Sequence, residues 1–291
     1  MMRFALVFLV FVGFAAPVHA CLQVYRTTLD GKRTVIDAMP LPSEAAMVQN
    51  RRQRREHWAA QLKKLAGAKD FNSGNDHAVA LLHLGRPAEA IAILEALERE
   101  RPGVYQTAAN LGTAYELAGR NEDALRWIRE GIKRNAKSHG GTEWLHVAIL
   151  EAKLAQARDP KWLASHSVLS LDFGAAPRPR MPQRFPNGND GKPVTAKRLR
   201  DALSYQLTER LQFVSPPDPY VADLFLDWGN LTALTDSVES ALELYEGAVR
   251  YGVAREALAK KRIAHMEDVI HDATPGTRKR GAAATRRGGM R

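Results

Sequence analysis

The sequence predicts an all-α fold, a superhelix of repeated helix pairs, and three observations carry that reading. Leu84-Gly85-Arg86 followed by Ala88, Glu89 and Ala90 returns 34 positions later as Ala118-Gly119-Arg120 followed by Glu122, Asp123 and Ala124. A period of that length marks stacked helix-turn-helix units, none of which can bury its apolar face alone. The local punctuation keeps the same register. Gly85 and Gly119 close helices, Pro87 opens one in its first turn, and Asn121 is placed as the cap of another with Glu122 and Asp123 in its first turn. The offsets that join Gly112 to Ala124, Ile128 and Gly131 then recur from Gly229 to Ala241, Tyr245 and Ala248, which makes residues 222–255 a further unit.

Residues 71–104 and 105–138 are the first two units. The second carries Leu111-Gly112, Tyr115, Ala124 and Ile128, small residues where two helices cross and large ones between them, and it resembles the tetratricopeptide repeat. The first keeps Ala90, Leu94 and Pro102 but has His77-Ala78 in place of Leu-Gly and Leu81 in place of the tyrosine. With the downstream unit, the resemblance covers about a third of the chain. It implies a helical-repeat, tetratricopeptide-like superhelix whose first helices line a concave face that binds another protein.

Along the chain, Arg3, an apolar run from Phe4 to Ala16 and Val18-His19-Ala20 read as a signal peptide over residues 1–20 of an exported, periplasmic or cell-envelope protein. No later segment approaches the about 20 apolar residues that a membrane-spanning helix needs. Cys21 is the single cysteine, so no intramolecular disulfide can form. Ala20-Cys21 fits two readings: ordinary cleavage, which is preferred, and a bacterial lipobox with lipidation of Cys21 and membrane attachment through that lipid. His19 departs from the lipobox pattern. Residues 21–42 hold a hairpin signal, with Asp30-Gly31 between Val24–Thr27 and Arg33–Ile36.

Residues 43–158 form the helical repeat region. Ser43 is placed as the cap of a helix that runs to Ala66, directing Met47, Trp58, Leu62 and Leu65 inward and leaving Arg51, Arg52, Arg54 and Arg55 as a solvated face. After the repeats, a helix from Thr142 to Arg158 covers the open face of the second unit with Leu145, Ile149, Ala152 and Leu154. Residues 159–195 are an irregular loop or linker, because Pro177, Pro179, Pro182, Pro186 and Pro193 with three glycines break any regular element. Residues 196–272 form a C-terminal helical region, with Asp218-Pro219 starting a helix after Pro216-Pro217. Residues 273–291 are a disordered basic tail, which carries six of the formal +10 charges; with Arg3 set aside, the body is left with about +3.

The chemistry of catalysis is thin. Neither a Gly-x-Ser-x-Gly elbow nor a phosphate-cradling glycine motif occurs, and the reading is non-enzymatic, with no cofactor and no metal. The alternative is an exported enzyme or metal-dependent accessory in which His139, Glu143, His146 and His166 meet, since His139 and His146 stand seven apart with Glu143 between them. A third reading makes the basic tail primary, held loosely by anionic surfaces, with no specific nucleic acid. The resemblance assigns the concave, partner-binding face to Asn75, Val79, Gln106, Ala109, Asn110, Thr113, Glu116, Glu143 and Val147. That face lacks the lysine and arginine pattern with which some tetratricopeptide domains grip a terminal carboxylate, while amides such as Asn110 can bond the backbone of an extended peptide.

Overall fold

A computed structural model describes residues 24–36, 44–67 and 70–274. The readings of residues 1–20, Cys21, Ser43 and the tail beyond Thr274 lie outside those residues. The chain opens with the expected hairpin, β1 (Val24–Thr27) against β2 (Arg33–Ile36), antiparallel with Val24 opposite Ile36. Gly31, at φ 74°, makes the turn possible. The rest is helical: α1 (Glu44–Leu65), α2 (Phe71–His83), α3 (Pro87–Glu100), α4 (Tyr105–Leu117), α5 (Asn121–Arg134) and, after a short 3₁₀ turn at Ser138–Gly141, α6 (Glu143–Arg158) and α7 (Trp162–Ser165). Then come α8 (Ala196–Arg210), α9 (Pro219–Thr235), α10 (Val238–Arg250) and α11 (Glu256–Ala273). Among the described residues no helix is long and apolar enough to cross a membrane.

The repeat is physical as well as textual. α2 and α4 end in the same motif: Gly85 and Gly119 both stand at φ 76°, and the next amides, of Arg86 and Arg120, reach back to Leu81 O at 2.9 Å and Tyr115 O at 2.8 Å. A Cβ added to Gly112 would lie 2.5 Å from Ile128 Cγ1, and one on Gly229 would lie 2.7 Å from the Tyr245 ring. Only glycine lets α4 meet α5, and α9 meet α10, at that separation. Ala90, Ala124, Ala241 and Ala248 are fully buried at the corresponding crossings, and Leu94, Leu111 and Tyr115 fill the space between. α2 is capped by Asp70, which accepts from Ser73 N at 3.1 Å, and α9 by Asp218 with Pro219 in the first turn. Asn121 is not the cap of α5. Arg120 occupies that position without a side-chain bond, and Asn121 is the first helical residue.

Two apolar cores share α6. Leu150 and Val147 face the core of α1 to α5, whereas Leu145, Ile149 and Ala152 face a second core built from α8 to α11. The expectation that Leu145, Ile149 and Ala152 cover the second repeat is therefore corrected: spaced four and three apart, they form one stripe, and it belongs to the C-terminal half. Within 159–195 only the short α7 and a bridge between Asn187 and Pro193 are regular, the proline-rich stretch having no helix, yet Leu163, Val168, Leu169, Leu171, Phe173 and Val194 are buried in that second core. Arg262 of α11, itself buried, fastens this segment by donating to Gly174 O at 2.6 Å.

Candidate binding groove

The first helices of the repeats, α2 and α4, together with α6 turn one side toward α8, which lies across it. α8 gets there through its own spacing: Leu199, Leu203 and Leu207 anchor it in the C-terminal core, and Arg210, at the end of that stripe, and Gln206, at its edge, are carried toward the repeats. Arg210 meets Glu116 of α4 as a two-pronged pair, Nη1 to Oε1 at 2.6 Å and Nη2 to Oε2 at 3.1 Å. Lys153 Nζ donates to Oε1 at 2.6 Å and His146 Nε2 lies 2.6 Å from Oε2, both from α6. One buried carboxylate thus ties α4, α6 and α8 together.

Burial opposes ionisation of Glu116, yet Arg210, His146 and Lys153 together hold its carboxyl well below the usual range. His146 has a carboxylate on each side, with Nδ1 3.6 Å from Glu143 Oε2. Burial disfavours the imidazolium; Glu116 and then Glu143 more than offset it, so His146 holds its proton more tightly than a free histidine. His139 is held the same way by its bond to Glu143, whose own carboxyl is lowered to about 2: burial raises it, and the bonds from His139 and His146 outweigh that.

Between these walls runs a groove of about 220 Å³. Of the residues assigned to the concave face, Val79, Asn110, Thr113, Glu116 and Glu143 line it. Asn110 and Thr113 are half-buried there; the amide of Asn110 makes no hydrogen bond among the described residues, and Thr113 Oγ1 donates to Ala109 O at 3.3 Å. Asn75 is instead buried and bonded by Thr107 at 3.4 Å, Gln106 is exposed elsewhere, and Val147 packs into the repeat core. Glu116 and Glu143 are 8 % and 4 % exposed, so their carboxylates serve the ion cluster and are not open acceptors. The far wall, Tyr205, Gln206, Glu209 and Arg210 of α8 with Phe213 just beyond it, did not emerge from the repeat pattern.

The structure brings His139, Glu143 and His146 together, as the metal alternative requires, but His139 Nδ1 bonds Glu143 Oε1 and His146 Nε2 bonds Glu116 Oε2, while Glu143 Oε2 makes no hydrogen bond among the described residues and lies 3.6 Å from His146 Nδ1. His166 stays apart, stacked on Trp162 with ring centres 4.9 Å apart. Among the described residues no group of three or more His, Cys, Asp or Glu side chains has an arrangement that could hold a metal ion.

Compared with known proteins, residues 81–140 match the family model of the tetratricopeptide repeat. The match runs from the last turn of α2 through α5 to the 3₁₀ turn, and this segment is a tetratricopeptide repeat in sequence and in structure. Among curated proteins the chain has no match.

Proposed function

We propose that this tetratricopeptide-repeat chain is a non-enzymatic adaptor that holds a segment of a partner protein in the groove between α4 and α8. Repeats of this family generally mediate protein–protein interactions. The observation that supports the finer reading is the groove itself: a half-buried, unengaged amide at Asn110, the Thr113 hydroxyl beside it and the apolar edges of Val79 and Phe213 give a strip that can bond a peptide backbone and accept a side chain. The ion cluster at Glu116 fixes the far wall, so the strip is held open before a partner arrives and less ordering entropy is lost on binding. The adaptor works outside the cytoplasm, with the signal peptide and Cys21 as the basis for that part of the proposal.

The test is to install a photo-crosslinking residue at Asn110 and, as a control, at exposed Glu246, and to irradiate each in envelope extract. A defined adduct at Asn110 that is missing at Glu246 supports the proposal. Identical patterns at the two positions would overturn it.

A further inference from the structure

The wall formed by Leu82, His83, Leu117 and Phe213 borders the groove on one side and a second cavity, of about 370 Å³, on the other. Arg54, Arg55 and Trp58 of α1 line the second cavity. Trp58 stands four residues after Arg54 and three after Arg55, so all three project from one side of α1. The Trp58 ring stacks on His83 at 4.4 Å and His83 on Phe213 at 4.6 Å, a column of three flat rings that joins α1, α2 and the turn after α8.

The charges here are one-sided. Arg54 and Arg55 make no ion pair among the described residues, unlike Arg52, which has Glu56 at 3.2 Å, and no carboxylate is among the residues that line the cavity. His83 adds no charge of its own: burial, followed by the field of Arg54 and the nearby His57, lowers it to about 4. The cavity therefore combines two unneutralised guanidinium forks with a partly exposed aromatic floor. Exposed ion pairs contribute little on their own, so an occupant must also use the rings.

We propose that this cavity binds an acidic segment of a partner protein, carboxylates on Arg54 and Arg55 and a neighbouring apolar side chain against Trp58 and Phe213. The inference rests on the adaptor reading above: the shared wall lets one extended segment run from the groove into this cavity, and the segment's acidic stretch follows from charge complementarity.

The probe is a fluorescent peptide of about ten residues with alternating Glu and Leu, blocked at both ends, titrated into the full chain. Binding should saturate and should weaken about tenfold or more in the variant R54A/R55A, and also when salt is raised from roughly 50 to 500 mM. The control variant R184A/K192A, which removes two exposed cations elsewhere, should bind normally. Equal binding by wild type and R54A/R55A overturns the proposal; so does equal binding of a Glu/Ser peptide, which has charge without an apolar partner, of a Lys/Leu peptide, or no binding at all. The two readings fail separately. Loss of the peptide in R54A/R55A without an adduct at Asn110 keeps this cavity and removes the groove, and an adduct at Asn110 with unaltered peptide binding in R54A/R55A does the reverse.

Discussion

Replacing Glu116 by Gln tests whether one carboxylate holds the two halves of the molecule together. Glu116 takes hydrogen bonds of 2.6 to 3.1 Å from Arg210, Lys153 and His146. The side chains of Arg210 and His146 are each 9 % exposed, so neither can turn to water once the carboxylate is gone, whereas Lys153 at 18 % can partly escape. Removing one member of a buried ion pair costs about 3–5 kcal/mol, because the other charge stays buried and unpaired. For a chain of this size each kcal/mol moves the melting temperature by about 2–4 °C, which gives a drop of roughly 6–20 °C for E116Q. Thermal melts followed by circular dichroism measure it. The double variant E116Q/R210M removes both opposite charges, and its loss should be smaller than the sum of the single losses. A drop below about 2 °C for E116Q, or strict additivity in the double variant, would refute the reasoning.

The remaining predictions concern protons and packing. His146 is raised above 6.5, so its contribution to stability is fully present below that pH and is lost as pH rises through its folded value; the melting temperature should fall on that side of 6.5, and H146Q should lack this part of the slope. Asp227, fully buried with neither carboxylate oxygen hydrogen-bonded, is pushed well above 3.8 by burial and then by Asp223, so its contribution is also lost with rising pH: D227N should melt higher than wild type at alkaline pH, with the difference vanishing in acid. Gly112→Ala should cost about 1–3 kcal/mol by overpacking Ile128. Gly247→Ala, where the nearest atom to the new Cβ is 3.6 Å away, should instead gain up to about 1 kcal/mol; urea titrations of both variants check the contrast.

The fold was largely legible because local rules agreed with each other. The glycines at 85 and 119, the prolines at 87 and 219 and the 34-residue period all describe events within one or two helices, and the hairpin at Val24–Ile36 needs only its own turn. The Gly112 and Gly229 crossings could be read for the same reason, as one offset of 16 to Ile128 and to Tyr245. What the sequence did not yield is long-range. Glu116 and Arg210 are 94 residues apart, and no periodicity states that α8 lies across the repeats. A signal was present: counting by threes and fours from Leu199 through Leu203 and Leu207 places Arg210 at the end of an apolar stripe, and an arginine there asks for a buried acid. Likewise Leu145, Ile149 and Ala152 were visible as a stripe, but which core they faced depended on helices that follow 40 or more residues later. Asn110 and Thr113 line the groove because the repeat geometry alone carries them there.

The groove between α4 and α8 is proposed as the place where a partner is held. With the protein captured at Asn110 in hand, calorimetric titration of that partner into wild type and into N110A/T113V measures this directly. Neither residue belongs to the ion cluster or to a core, so the variant should melt like wild type while its affinity falls at least about tenfold, a change of about 1.4 kcal/mol. Unchanged affinity at unchanged melting temperature would contradict the account.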